Sequence, residues 1–324
     1  MPNDPSEVFL RQLIDGDPSV GILAEAPTQH RKRVATALMM EQESAQEVGM
    51  LGYQARLLVQ CSLPYRQLPA THWTRTNGAV RFAIVADPEY GLPYGPYPRL
   101  ILTWVATEAV RKQSRRIDLH LSLNALMAQL GIASHANGEK RQRFKDQILR
   151  LFTATISSTQ WEEPDPDHAE HPRAVHYRRE QMLLADDMEL WWDPYQPSQP
   201  YQAASFLTLS ERFYTDVTAH PVPIDLRAIT ALKGSALALD IYCWLVYRLS
   251  YLKKPTKIPW ELLQMQFGGE YAETKQGRYE FKRKFQVQLA EVLRLYSEAK
   301  VTADSQGLTL KPSRLAIDRK FFNP

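Results

Sequence analysis

At 324 residues, 44% hydrophobic and 23% charged, the chain has the balance of a globular protein able to bury a core, and its length argues for two domains plus a small extension. A net charge of +3 excludes a uniformly basic surface, so any affinity for a polyanion must come from where the charge lies. From Tyr201 to the C-terminus 18 Lys and Arg stand against 12 Asp and Glu, which places most of the excess there.

Residues 1–55 read as a helical extension. Ser6 caps a short helix with Phe9, Leu10, Leu13 and Ile14 on one edge, ending near Gly16. A second helix is expected over 28–48, opened by Pro27, closed by Gly49 and carrying Val34, Leu38 and Met39 on one face. Helices this short are marginal alone, so docking on the protein's own body is expected. The acidic N-terminus lacks the basic and apolar sections of a signal peptide.

A first domain is expected over 56–200. Its Pro- and Gly-rich opening, 63–97, contains a strand over 79–86 behind the Asn77-Gly78 turn. A helix over 98–112 buries Leu100, Ile101, Trp104 and Val105. Then come a short strand at 116–119, a helix capped by Ser122 and stopped at Leu130-Gly131, and a second helix over 139–153. Strands over 153–162 and 175–185 flank the polar loop PDPDHAEHPR. This is the element order of a winged helix-turn-helix. WWDPYQPSQP, 191–200, breaks helix and strand ladder alike and reads as the domain junction.

The second domain, 201–324, opens with a strand at 206–209, a helix behind Ser210 that Pro221 and Pro223 end, and a helix over 226–232 capped by Asp225. The earlier order then recurs: a largely buried helix from Ser235 to Leu252, a short strand at 256–258, a helix stopping at Gly268-Gly269, a long helix over 275–296, and a hairpin turning at Asp304-Ser305-Gln306-Gly307. The expected fold is mainly α with small β-hairpins (α+β): two tandem winged helix-turn-helix domains plus a helical N-terminal extension. Cys61 and Cys243 read as free buried thiols of a reducing cytoplasm. The longest apolar run, 236–247, is too short to span a bilayer and contains Asp240, so no membrane contact is expected.

In a helix-turn-helix the second helix enters the major groove while the first braces it across the backbone. By position those second helices are 139–153 and 275–296. In the latter, Phe281, Phe285, Leu289, Val292 and Tyr296 form an apolar stripe, while Lys275, Arg278, Tyr279, Lys282, Arg283 and Gln286 form a cationic, hydrogen-bonding face. Arg can read guanine and Gln adenine, whereas Lys mostly neutralises phosphate. Arg278, Arg283 and Gln286 are therefore candidate base readers, and Lys275, Lys282 and Lys284 phosphate contacts. The first domain's set is Lys140, Arg141, Arg143, Lys145 and Gln147.

Double-stranded DNA is the partner these faces imply. The basic run Arg111, Lys112, Arg115 and Arg116 is expected to cap a helix end. Catalysis, a cofactor and a bound metal are not expected. There is no GxxxxGK[ST] loop, GGEY at 268–271 reads as a helix stop, and His168, His171 and His176 near Asp165 and Asp167 read as a solvated hairpin tip.

Six segments resemble the plasmid-encoded RepA replication initiators: PYGPYPRLIL (93–102), TEAVRKQSRRIDLHLSLNALMAQLGI (107–132), LSERFYTDVTAHPVPIDLRAITALKGSALALDIYCWLVYRL (209–249), IPWELLQMQFG (258–268), FKRKFQVQLAEVL (281–293) and GLTLKPS (307–313). The resemblance implies a bacterial cytoplasmic protein that binds repeated sequences (iterons) at a plasmid origin. It also implies help in melting an adjacent AT-rich segment, recruitment of the host initiator and replicative helicase, and a homodimer that inhibits or autorepresses while monomers initiate. A transcriptional repressor of the same fold, without initiator activity, is the alternative reading of the residues.

Overall fold

The computed structural model describes residues 27–78, 80–119, 122–132, 138–162, 176–192 and 205–322. The helix expected over 6–16, the loop bearing His168 and His171, and most of the 191–200 junction lie outside these. Helix α1 (Thr28–Gln42) starts behind Pro27 but stops short of 48, because Glu43 takes extended backbone and the chain then turns, with Gly49 at φ 68°. It docks on the body as expected. Arg33 Nη1 meets Glu291 Oε2 at 2.6 Å, and Arg227 donates to the carbonyls of Met39 and Glu43 at 3.2 and 2.8 Å.

Strand β1 (Leu51–Ala55) leads into the short helix α2 (Arg56–Gln60), then β2 (His72–Asn77) and β3 (Val80–Val85) form a hairpin. Helix α3 (Pro96–Lys112) begins with proline in its first turn, where no N–H is required. Next come β4 (Arg116–Asp118), α4 (Leu123–Gln129), α5 (Gly138–Thr153), and a second hairpin of β5 (Thr155–Glu162) and β6 (His176–Leu183). Ser122 caps α4 as its sequence position predicts, its hydroxyl accepting from Ala125 N at 3.2 Å.

The β5–β6 hairpin is not a free-standing wing. It is half of a four-stranded sheet in the order β2-β3-β5-β6. Strand β2 is hard to see in the sequence because its buried side chains are Trp73 and Arg75, alternating with half-buried Thr74 and Thr76, so apolar alternation is weak.

Beyond β7 (Ala185–Glu189) lie β8 (Phe206–Leu209), α6 (Glu211–Ala219), β9 (Pro221–Asp225) and α7 (Leu226–Leu232). Strand β8 pairs with both β4 and β7, and β9 pairs antiparallel with β1. Strand ladders thus cross both boundaries expected from the sequence, at 55 and at 200. Pro221 and Pro223 made β9 read as a helix stop. Spaced by two, they point their missing N–H groups to one side of the strand, which leaves the other side able to carry a ladder.

The order expected of the second domain holds over 236–310. Helix α8 (Ala236–Ser250), β10 (Thr256–Pro259), α9 (Trp260–Phe267) and α10 (Lys275–Leu295) precede β11 (Val301–Ala303) and β12 (Gly307–Leu310). Here strand and hairpin do share one sheet, in the order β10-β12-β11. A short 3-10 helix, Arg319–Phe322, ends the described chain. The result is a mixed α/β fold of helices around small sheets, with buried side chains running continuously through both halves. Cys61 and Cys243 are buried and free, and burial pushes the Cys61 thiol up to about 12 against the opposing effect of Arg75. Among the described residues no helix is long and apolar enough to cross a membrane.

One buried cation ties the halves together. Arg99 of α3 donates from Nε and Nη2 to the two carboxylate oxygens of Asp240 in α8, at 2.7 and 2.8 Å. Its remaining N–H groups go to the carbonyls of Gly95, Leu63 and Pro64 at 2.7, 2.7 and 3.3 Å. All five guanidinium donors are used. Asp240→Ala leaves that cation buried without its counter-charge, and the expected loss is about 3–5 kcal/mol of stability, read as a lowered urea midpoint with unchanged slope.

Candidate nucleic-acid interface

Helix α10 is two-faced, as its periodicity predicts. Phe281, Phe285, Leu289, Val292 and Leu295 are buried, and the Phe285 ring sits 5.9 and 5.5 Å from Trp260 and Phe267, locking α10 onto α9. Thr274 starts the helix by accepting from Gly277 N at 3.1 Å. Position 277 admits only glycine without rearrangement, since a Cβ there would lie 2.1 Å from the Ala272 carbonyl oxygen.

On the opposite face Lys275, Arg278, Tyr279 and Arg283 are exposed and Gln286 is half-buried. Lys275 and Arg283 make no hydrogen bond or ion pair among the described residues, and Arg278 reaches only the Glu273 carbonyl at 3.4 Å. Lys284 is also exposed, with its Nζ 5.8 Å from the Tyr271 ring centroid.

Lys282 departs from the expectation of a phosphate contact. Its Nζ donates to the carbonyls of Asp304 and Ser305 at 3.0 and 3.4 Å and lies 5.0 Å from the Trp260 ring. It clamps the turn of the β11–β12 hairpin instead of facing outward. The same turn is held by Asp304, whose carboxylate accepts from Lys257 Nζ and from the N–H groups of Gln306 and Gly307, all within 2.8–2.9 Å. Trp260 Nε1 donates to the Asp304 carbonyl at 3.0 Å. Asp-x-x-Gly was legible as a turn; the clamp of Lys257, Trp260 and Lys282 was not, because it is assembled from three other elements.

Helix α5 does not mirror α10. Lys140 and Arg143 are exposed and Arg141 and Lys145 half-buried, but Gln147 is only 1% exposed. It is therefore no base reader: its Oε1 accepts from Tyr94 N at 2.8 Å. The signal was present, since Phe144, Gln147, Ile148 and Leu151 follow the spacing of a buried stripe. Arg150 likewise donates to the Leu92 carbonyl at 3.2 Å, with its guanidinium 5.4 Å from the Tyr94 ring. The side of α5 read as free faces the 92–97 segment.

The basic run at 111–116 is absorbed by the fold. Arg111 donates to the carbonyls of Gly49 and Leu51, Lys112 pairs with Glu108, Arg115 with Asp186 and Glu211, and Arg116 stacks 3.6 Å from the Phe206 ring centroid. The GGEY segment stops α9 as expected. It also docks, with Glu270 Oε1 accepting from the N–H groups of Tyr65 and Arg66 at 2.6 and 3.1 Å. Among the described residues no three His, Cys, Asp or Glu gather as metal ligands.

The family model of the plasmid-encoded RepA protein matches residues 92–261, from the segment before α3 to the start of α9. Domains 2 and 3 of RctB, known from a crystal structure of their selenomethionine derivatives, have the same overall fold. The TM-score is 0.50 at 10% identity, over 82% of this chain and 98% of that chain. No curated protein matches the sequence.

Lys282→Ala is expected to loosen the 304–307 turn, seen as faster amide exchange there and a stability loss of about 0.5–1.5 kcal/mol. The salt dependence of DNA binding should keep its slope; a slope flatter by about one unit would make Lys282 a phosphate contact after all. The Asp304 carboxyl is held down at about 2, first by Lys257 and then by the two backbone N–H groups. Its stabilisation of the turn is therefore complete above the ordinary value of 3.8 and is lost as pH falls toward about 2. An NMR titration of its carboxyl carbon should find the midpoint near the lower value.

Proposed function

We propose that the chain, which belongs to the plasmid-encoded RepA family, is a plasmid replication initiator that acts by binding repeated origin DNA through α10. The observation that carries this reading is the unpaired cationic face of α10, held between a bracing helix and a clamped hairpin. From Lys275 to Gln286 that face runs about 17 Å along the helix axis, enough to traverse a major groove about 12 Å wide. Arg278 and Arg283 take base edges, with Gln286 beside them, and Lys275 neutralises phosphate. Helix α9 crosses the backbone, and the β11–β12 hairpin follows the strand as a wing.

Lys140, Arg141, Arg143 and Lys145 of α5 give a second, weaker contact to a neighbouring stretch of duplex. Binding, not catalysis, is the chemistry of the protein itself. Opening of the adjacent AT-rich DNA and recruitment of the host initiator and helicase follow from assembly on several repeats.

Arg278→Ala and Arg283→Ala should each cost about 1–3 kcal/mol at the origin repeats and relax base preference at one position. Gel shifts with intact and singly substituted repeats check this, and unchanged affinity in both variants would exclude α10 as the reader. The same variants should fail to sustain a replicon carrying the gene and its adjacent repeats.

A further inference from the structure

The larger clefts among the described residues differ in charge. One, between the four-stranded sheet and α6, carries Glu180, Glu211 and Asp216 opposite two arginines, and another, beside α9, carries Glu261 and Glu273 with Arg75 and Arg278. A third, of about 600 Å³, lies between α5, the 94–97 segment and the turn that joins α7 to α8, and none of the described residues lining it is acidic. Lys140, Arg143 and Lys233 supply its charge together with Arg66, which is paired with Glu270, and Tyr94 and Tyr97 are half-buried in its wall. Lys233 Nζ is anchored on the Gly131 carbonyl, whereas Arg143 is exposed and makes no hydrogen bond or ion pair among the described residues.

Gln147 closes the cleft, and its amide is incompletely used. Oε1 is committed to Tyr94 N at 2.8 Å, so the orientation of the group is set, and the buried Nε2 has no partner among the described residues. A buried N–H without an acceptor is costly and rare in a folded protein. Something with an acceptor atom at that depth would complete it.

Aromatic walls, an unpartnered amide donor and a purely cationic lining call for a ligand with a flat polar ring at one end and an anion at the other. The volume is that of a small-molecule site. We propose that this cleft binds a single unpaired nucleotide unit. Its base lies against Tyr94 and Tyr97 and offers a carbonyl or ring-nitrogen acceptor to Gln147 Nε2, and its phosphate meets Arg143 and Lys140. A base within a duplex cannot enter, so this site is separate from groove reading by α10 and does not rest on it. A free nucleotide and an unpaired residue of a DNA strand present the same chemistry.

Isothermal titration of the full chain tests the site, using each of the four deoxynucleoside triphosphates, tripolyphosphate alone, and single-stranded decamers of dA and dT. At least one base-bearing probe should bind, tripolyphosphate should bind at least tenfold more weakly, and Arg143→Ala should weaken binding at least tenfold. Gln147→Leu should weaken binding or change the order of preference among bases; if that variant fails to fold, exposed Arg143 still carries the test. Tighter binding of a decamer identifies the strand as the source, and tighter binding of a triphosphate identifies the free nucleotide. The proposal is overturned if no base-bearing probe binds at millimolar concentration, if tripolyphosphate binds as well as the nucleotides, or if Arg143→Ala binds unchanged.

Discussion

The Arg99–Asp240 pair is the constraint on which the arrangement of the two halves depends. A guanidinium taken out of water must have every donor met, and here two go to a carboxylate on α8 and three to carbonyls of the 63–64 segment and Gly95. A buried ion pair is a poor source of net stability, because desolvation offsets most of the attraction. What it does supply is registry: α3, α8 and the proline-rich segment can meet in only one way without leaving a charge or a carbonyl orphaned. The Tyr65 ring, 4.9 Å from the same guanidinium, closes the site.

From that junction the placement of α10 follows. Residues 60–66 continue from the carbonyls that Arg99 holds and bond to the end of α9: Ser62 Oγ donates to the Gln266 carbonyl at 2.9 Å and Gln266 Nε2 to the Gln60 carbonyl at 3.1 Å. Arg75, stacked 4.0 Å from the Trp73 ring centroid, fills the space that a side chain at Gly269 would need. The first half thus supports the bracing helix, the bracing helix supports α10 through Trp260 and Phe267, and Lys282 carries that rigidity into the hairpin. A face held this firmly would lose little freedom on binding a ligand.

The two halves differ because their hairpins have different partners. Strand β10 joins β11 and β12 in one sheet, so that hairpin stays beside the exposed face of α10. Strand β4 is taken by β8 and β7, while β5 and β6 are taken by β2 and β3, and α5 turns its polar side toward the 92–97 segment. One element order has therefore produced an open cationic helix face in one half and a cationic cleft in the other.

Most helix limits were legible in the sequence, because caps and stops act within one turn. Ser122, Ser210, Asp225 and Ser235 all accept from the backbone N–H groups their positions predict, and Gly268 ends α9. The two faces of α10 were legible for the same reason, since a period of 3.6 needs nothing beyond the helix itself. The uses of Lys282 and Gln147, the pairing of β9 with β1 and of β8 with β4, and the meeting of Arg99 with Asp240 were not. Each depends on a partner brought from another part of the chain, up to 141 residues away for Arg99 and 204 for the Ser62 bond to Gln266. The sequence by itself determined which side chains are cationic and which helices carry them; only the tertiary structure decided which of those cations face outward, because burial and hydrogen bonding with distant segments had already claimed the others.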